Sequence, residues 1–310
     1  MDIDQPEVQR GEVRIKTHAF GLNKIESYYR NGDYGAFDPR QVLGVEAAGE
    51  VVEDRSGRFS PGQKVVTSMG GMMFGRQGSY AEYVTANAAS VLPIDSEISF
   101  VELAALPVAY ATVWGALDVS TNVKPGDSVL VRGATSSVGI AAITFAKYRG
   151  YRVIATTRNS ASVQKLYDLG ADSVIVDTGT IHEDVRKTET DGVDYALEVV
   201  GVGTLRDTLK SVRPFGAVVV VGLLSGPPII ESFHLMEDLP NAVQLSFFSV
   251  GVVGTPVLPI EEFPLDDIAQ KIHDGHLTST VAKIFKIEDI QEAHRLLDAG
   301  SASGKIIVEL

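Results

Sequence analysis

The sequence predicts an α/β protein in two parts, a doubly wound, parallel-sheet domain of the Rossmann kind and a strand-rich, partly open β-barrel. Three observations carry this reading. First, Asp127 to Arg158 reads DSVLVRGATSSVGIAAITFAKYRGYRVIATTR. It holds a β-rich run at Val129 to Val131, a turn of small residues at Gly133 to Gly139, and helical spacing over Ile140 to Lys147 that Gly150 can stop. A second strand follows at Val153 to Thr156, and the whole has the size of one βαβ unit of about 30 residues. Second, strands and helices go on alternating beyond it, whereas the chain before Ser99 carries short strands separated by turn signals. Third, 310 residues are many for one core, so two domains are expected. The boundaries read as 1–118 for the first part of the barrel, 119–252 for the parallel sheet and 253–310 for a return to the barrel.

Composition narrows the function. A hydrophobic content of 45% with 22% charged residues is ordinary for a globular protein, and the net charge is −13. That balance disfavours nucleic acid or an anionic membrane as partner, so an anionic cofactor has to be held by local donors. No apolar run approaches ~20 residues and the N-terminus is acidic and polar, so no membrane span or signal peptide is expected and the protein reads as cytoplasmic. There is no cysteine, which removes disulfides, thiolate nucleophiles and cysteine-ligated zinc.

In chain order, Glu12 to Ala19 alternates as a half-buried strand, and Val42 to Val52, Gln63 to Thr67 and Ser79 to Val84 add short strands. Asn31-Gly32-Asp33, Asp38-Pro39, Ser60-Pro61-Gly62 and Gly70-Gly71 are the turns between them. Val101 to Leu117 reads as a long apolar helix interrupted at Pro107. Further strands are expected at Ser128 to Val131, Val153 to Thr156, Ser173 to Val176, Val193 to Val199, Ala217 to Val221 and Val243 to Phe248. Helical segments such as Ser162 to Leu169 and Thr204 to Val212 lie between them. Two amphipathic helices, Leu265 to Asp274 and Ile287 to Ala299, and a strand at Lys305 to Glu309 complete the chain.

The chemistry centres on the turn. A helix N-terminus with no bulky side chain in front of it leaves backbone N–H groups free for a phosphate, aided by the helix dipole. The glycine fingerprint is modified here to Ala134, Ser136 and Gly139, with Ser137 and Val138 opening the helix. A plain strand-to-helix turn capped by Ser136 or Ser137 would need the same residue types. The flanking strand, helix and second strand favour a dinucleotide. Where the second strand ends, an acid would read a ribose 2′-hydroxyl. Thr157, Arg158 and Asn159 stand there instead, a guanidinium beside polar neighbours that suits a 2′-phosphate and hence NADPH. Arg158 as a solvated surface charge is the alternative.

The blocks GLNKIESYYRNGDYG, GVEAAGEVV, GSYAEYV, LPVAYATVWGAL, GATSSVG, EVVG, VVGLLSG and the terminal SGKIIV carry a resemblance over nearly the whole chain. Together and in this order they resemble the zinc-free quinone oxidoreductase branch, zeta-crystallin included, of the medium-chain dehydrogenase/reductase family. Members usually begin with an extra hairpin of about two dozen residues, and Met1 falls just before what would be the second strand. The resemblance makes the barrel the catalytic domain. It implies Asn23 and Thr112 near the nicotinamide, and Val200, Gly201, Gly222 and Leu223 at the ends of the fourth and fifth strands. Phe247, Phe248 and Ser249 follow the sixth strand, with Lys305 returning toward the cofactor. Core or subunit packing is the other reading of Phe247 and Phe248. Tyr34, in Gly32-Asp33-Tyr34-Gly35, is similar in place to a catalytic tyrosine of the enoyl thioester reductases, and a loop aromatic closing the cleft is its alternative. Tyr28 and Tyr29 fit a helix face packing on the barrel. Related reductases often place a tyrosine near the adenosine where this chain has Asp177, the alternative reader of the ribose.

Relatives in the wider family hold zinc with cysteine and with histidine in a Gly-His-Glu block. Here that block reads Gly44-Val45-Glu46 and Asn23 lies in the neighbourhood of the first cysteine, so no metal site is expected. His273 and His276 are separated by Gly275, a helix-end signal, and His18, His182, His234 and His294 read as ordinary strand or surface residues. The resemblance implies hydride transfer to a quinone or an α,β-unsaturated carbonyl without metal, and a homodimer joined at the Val243 to Phe248 edge. Two other functions stay open: an NADPH-binding sensor or structural protein without turnover, and an enoyl thioester reductase.

Overall fold

The structure is a computed structural model that describes residues 3–33 and 35–310. The chain divides into two units, Met1–Ala111 with Val250–Leu310, and Thr112–Ser249. The first unit contains β1 (Glu12–Gly21), α1 (Lys24–Asn31), β2 (Glu46–Asp54), β3 (Lys64–Ser68), β4 (Tyr83–Asn87), β5 (Val91–Pro93) and α2 (Phe100–Leu103), and then α3 (Pro107–Trp114), in which the boundary falls. The return segment adds α9 (Leu265–His273), β12 (Val281–Lys286), α10 (Ile290–Ala299) and β13 (Lys305–Glu309).

These strands form one sheet in the order β12-β13-β1-β2-β3-β5, with β4 also paired to β1. The pairs are antiparallel except β12 with β13. β1 shares one edge between two partners, β4 along Glu12 to Lys16 and β13 along Ala19 to Gly21. The sheet stays open, as the partly open barrel reading requires. Its alternation buries Val13, Ile15, Val51, Val65, Val84, Ile306 and Val308 in one core. Where β1 faces β2 the register shifts twice, and Gly49 lies opposite Thr17 inside that irregularity. A side chain on Gly49 would run into the Lys16 carbonyl and come within 2.9 Å of Ile15 Cγ2. Glycine is therefore required by close backbone approach.

The second unit contains β6 (Ser128–Arg132), α4 (Ser137–Tyr148), β7 (Arg152–Thr157), α5 (Val163–Asp168), β8 (Ser173–Val176), α6 (His182–Thr188), β9 (Val193–Glu198), α7 (Val202–Lys210), β10 (Val212–Val220), α8 (Leu235–Asp238) and β11 (Gln244–Phe247). All pairs are parallel, in the order β11-β10-β9-β6-β7-β8. The strand order reverses between β6 and β9, the switch point at which doubly wound sheets bind ligands beyond the strands' C-terminal ends. Leu130, Ile154, Val185, Leu205 and Leu209 make a single core of the sheet with α6 and α7.

Several elements differ from the expectation. The strand over 42–52 starts only at Glu46, because Gly44 sits at φ +104° and breaks the extended run. The strand over 79–84 moves to Tyr83–Asn87, since the 78–80 backbone bonds Val42, Leu43 and Gly44 instead. The helix over 101–117 is three pieces: α2, α3 with Pro107 as its first residue, and a π turn at Gly115–Val119. Proline is favoured at a first helical position because it needs no hydrogen-bonded N–H there. The helix face read at Tyr28 and Tyr29 lies in α1, whereas the spacing misses α6, β5 and β12. β12 has no fully buried position, so it carries no alternating signal.

Substituting Gly49 with alanine is expected to destabilise the first unit by about 2–4 kcal/mol through backbone displacement in the β1–β2 ladder. A urea midpoint unchanged from wild type would show that the ladder yields without cost.

Candidate functional site

At the end of β6 the backbone turns at Gly133, φ +89°, and α4 begins after Ser136. The Ser136 hydroxyl accepts the Gly139 N–H at 3.0 Å and donates to the Gly133 carbonyl at 2.8 Å. One of the helix's free donors is thus spent in capping, while the Ser137 and Val138 amides take no partner among the described residues. A Cβ on Gly139 would strike the Gly133 carbonyl and lie 2.6 Å from the Ala134 Cα. Helix and strand end therefore meet backbone to backbone, which brings two free amides and the helix dipole to the sheet edge. An anionic pyrophosphate fits this cradle.

The neighbouring turns complete the edge. The Gly133 and Ala134 amides bond Thr156 on β7. A Cβ on Gly133 would lie 3.1 Å from Val200 Cγ2, and one on Gly201, φ +101°, would lie 2.8 Å from the Gly222 carbonyl and 3.0 Å from the Leu223 Cα. Phe248 N donates to the Val220 carbonyl. The turns after β6, β7, β9, β10 and β11 thus share one edge, and on them lie Ala134, Ser136, Ser137, Val138, Gly139, Thr157, Arg158, Asn159, Val200, Gly201, Gly222, Leu223, Phe248 and Ser249. The Phe248 ring lies against Gly115 and is buried, whereas Phe247 is 60% exposed.

At the end of β7 the Thr157 hydroxyl accepts the Asn159 N–H at 3.1 Å, and the Asn159 side chain accepts the Ala161 N–H at 3.0 Å. Both neighbours are spent on the turn. Arg158 is exposed and makes no ion pair or hydrogen bond among the described residues, so its guanidinium is the free donor there.

Asp177 is not placed as a ribose reader. Its carboxylate takes a two-point contact from Arg132, Nε to Oδ2 at 2.9 Å and Nη2 to Oδ1 at 3.1 Å, and its side chain is 7% exposed. Arg132 has no exposed surface and also donates through Nη1 to Asp207 Oδ2 at 2.7 Å and Thr208 Oγ1 at 3.0 Å. Glu198, beside it, accepts the Gly201 N–H at 2.8 Å, and burial holds its carboxyl above the usual range. Sequence reasoning missed this cluster. Its only signal is a cation closing the apolar run Val129 to Val131, which reads equally well as a strand end.

The first unit carries a second buried cluster. Lys305 and Glu46 are fully buried and ion-paired. The Lys305 ammonium also donates to Asn23 Oδ1 at 2.5 Å, Asn23 Nδ2 donates to Glu46 Oε1 at 2.9 Å, and Glu46 Oε2 accepts the Val108 N–H at 2.8 Å. Asn23 caps α1, its N–H donating to Glu26 Oε2 at 2.6 Å. Both ends of the Asn23 carboxamide and the Lys305 ammonium are therefore committed inside this unit. Thr112, also read as a site residue, is buried in α3 as the first residue of the second unit. Tyr34 lies outside the described residues. Among the described residues no group of three or more His, Cys, Asp or Glu could hold a metal ion.

Two sequence families match in succession, the alcohol dehydrogenase GroES-like domain over residues 9–96 and zinc-binding dehydrogenase over residues 137–264. The human protein named quinone oxidoreductase is 30% identical over an alignment covering 100% of this chain and 92% of that protein. A Burkholderia protein named 2-haloacrylate reductase is 28% identical, over 96% and 90%. A mycobacterial structure solved with NADPH superposes with a TM-score of 0.87 at 26% identity, covering 100% of this chain and 94% of that one. The chain belongs to the quinone oxidoreductase branch of the medium-chain dehydrogenase/reductase family.

Two carboxylates share one ammonium in the first unit's cluster, and Glu26 responds. Burial pushes its carboxyl up to about 8, with Glu46 adding to the rise and Lys305 opposing it. Between its ordinary value of 4.5 and about 8 the folded protein holds a proton that the unfolded chain releases, so stability falls as pH rises through this window. Wild type is expected to lose on the order of 2 kcal/mol between pH 6 and 8 through this group, and Glu26→Gln to lose correspondingly less. Parallel urea midpoints for the two proteins across that range would rule this out.

Proposed function

We propose that the protein is an NADPH-dependent reductase that delivers hydride, without metal, to a quinone or an α,β-unsaturated carbonyl. The observation that carries this is the sheet edge itself: a backbone cradle with free Ser137 and Val138 amides beside the unpaired guanidinium of Arg158. Names borne by the relatives agree, since they specify quinones and a haloacrylate as acceptors and one neighbour is solved with NADPH.

In this reading α4's N-terminus and the Gly133–Gly139 turn hold the pyrophosphate, and Arg158 pairs with the 2′-phosphate. Val200, Gly201, Gly222 and Leu223 keep the turns low so that the dinucleotide can approach the backbone. NADPH, when bound, supplies a hydride from its nicotinamide ring. Acceptors of this class spread the developing charge onto a conjugated oxygen, which a modest hydrogen-bond donor can stabilise. Asn23, Thr112 and Tyr34 are the residues proposed near the nicotinamide and acceptor. Asn23 is pre-set for such a place, because Lys305 and Glu46 fix both ends of its carboxamide. Loss of nicotinamide absorbance against a panel of quinones, enals, enones and enoyl thioesters tests this reading. No turnover with any of them would leave a binding protein, and turnover with thioesters alone would make it an enoyl thioester reductase.

A homodimer is part of the same proposal. β11 pairs with β10 on one edge and with nothing among the described residues on the other, and Phe247 is exposed beside it. Pairing of two such edges about a two-fold axis would cover them. Sedimentation at micromolar concentration is expected to give a dimer for wild type and a monomer for Phe247→Glu, and a monomeric wild type would refute the pairing. No helix among the described residues is long and apolar enough to cross a membrane, and the absence of cysteine fits a reducing cytoplasm.

Arg158→Ala is expected to weaken NADPH binding tenfold to a hundredfold, the equivalent of about 1.5–3 kcal/mol for a charge-assisted contact, and to leave NADH nearly unchanged. Equal losses for both cofactors, measured by calorimetry, would show Arg158 to be a surface charge.

A further inference from the structure

We propose that Arg132 sets the cofactor preference from inside the protein, by holding Asp177 away from the ribose. The inference rests on the NADPH reading above and concerns a residue on which that reading does not call. Asp177 is the residue after β8, and its N–H donates to the Thr157 carbonyl at 2.8 Å, so it sits beside the turn that carries Arg158. The ribose-reading acid of such folds stands at the end of the second strand, here β7, and a carboxylate reaching that place from the adjoining end of β8 would likewise accept a 2′-hydroxyl and repel a 2′-phosphate. In this chain both of its oxygens are turned to Arg132, and Oδ1 also accepts the Gly179 N–H at 2.8 Å.

Arg132 is itself unable to let go. Every nitrogen of its guanidinium is engaged: Nε with Asp177, Nη2 with Asp177 and the Gly179 carbonyl at 3.0 Å, and Nη1 with Asp207, Thr208 and the Thr204 carbonyl at 3.1 Å. Asp207 is anchored in turn by the Ile181 N–H at 2.8 Å and by His182 Nδ1 at 2.6 Å. The clamp therefore does two things at the edge of the site. It orients the acid away from the cofactor, and it neutralises a negative charge that would oppose the phosphate. Arg132 is a positioning residue, acting through Asp177.

Calorimetric titration of the full-length protein with NADPH and with NADH, without substrate, tests this through the ratio of the two affinities. Arg132→Met is expected to lower the NADPH preference roughly tenfold, the effect of one released charge within several ångströms of the 2′-position. Arg132→Met/Asp177→Asn is expected to restore it, and Asp177→Asn alone to keep it. A purely structural role would weaken both cofactors together and would not be rescued by the second substitution. If Arg132→Met does not fold, as judged by circular dichroism, Arg132→Lys is the deciding variant, since a single ammonium cannot serve both carboxylates in this geometry. The inference is overturned if the folded Arg132 variant keeps the wild-type ratio. It is equally overturned if Asp177→Asn weakens NADH selectively, for the acid would then already read the ribose. A wild type that binds both cofactors equally refutes the Arg158 reading and this inference together, whereas a wild type that prefers NADPH and whose Arg132 variants keep that preference refutes this inference alone.

Discussion

A guanidinium removed from water needs an acceptor for every nitrogen, and around Arg132 that demand organises the second unit. The acceptors come from the turn between β8 and α6 and from α7, so one side chain at the end of β6 joins segments far apart in sequence. Buried ion pairs of this kind add little net stability, because desolvation offsets most of the attraction. Their value lies in geometry. Removing any one partner leaves a buried charge unpaired, so the turns next to the N-terminus of α4 have one arrangement open to them.

The first unit solves a related problem with a different cation. Lys305 opens β13, Glu46 opens β2 and Asn23 caps α1, and the three meet with no side-chain exposure for the ion pair. One ammonium cannot balance Glu46 and Glu26 together, and the protein resolves the excess by keeping a proton on Glu26. A second link ties α1 to α10. Arg30 donates to Asp298 at 2.6 Å and to His294 Nδ1 at 2.7 Å, and Ser27 donates to Asp298 at 2.6 Å. Since a guanidinium only donates, His294 Nδ1 must accept. Burial and the Arg30 charge hold this imidazole down to about 4, hence neutral at physiological pH.

Small residues at the sheet edge follow from backbone contact more than from turn flexibility. Gly139 lets α4 touch Gly133 and Ala134, and Gly201 lets the turn after β9 touch Gly222 and Leu223. A methyl group at either place would lift a turn away from its neighbour, and the free amides of α4 would no longer line a surface continuous with Val200. Catalytic folds of this class depend on such closeness, because binding by main-chain donors works only where nothing projects past them.

Much of this protein was legible in its residues. Periodicity and turn chemistry determined the βαβ unit at 127–158, the parallel-sheet succession after it, the strand-rich first part and the last strand at 305–309, because those signals come from neighbours along the chain. The same local logic placed the turn of small residues before α4 and Arg158 after β7. Elements without a one-sided burial pattern, such as β12, left no trace, and Gly44 moved an element end that the hydrophobic run alone had put elsewhere, whereas the break at Pro107 was legible. The partners of the charges were decided by tertiary structure alone. Asp177 and Lys305 stand at strand ends, and only the folded chain shows that they pair with Arg132 and Glu46. Which charge meets which depends on the order and register of strands in a sheet, and that order is set by burying two cores at once, a constraint no stretch of sequence contains by itself.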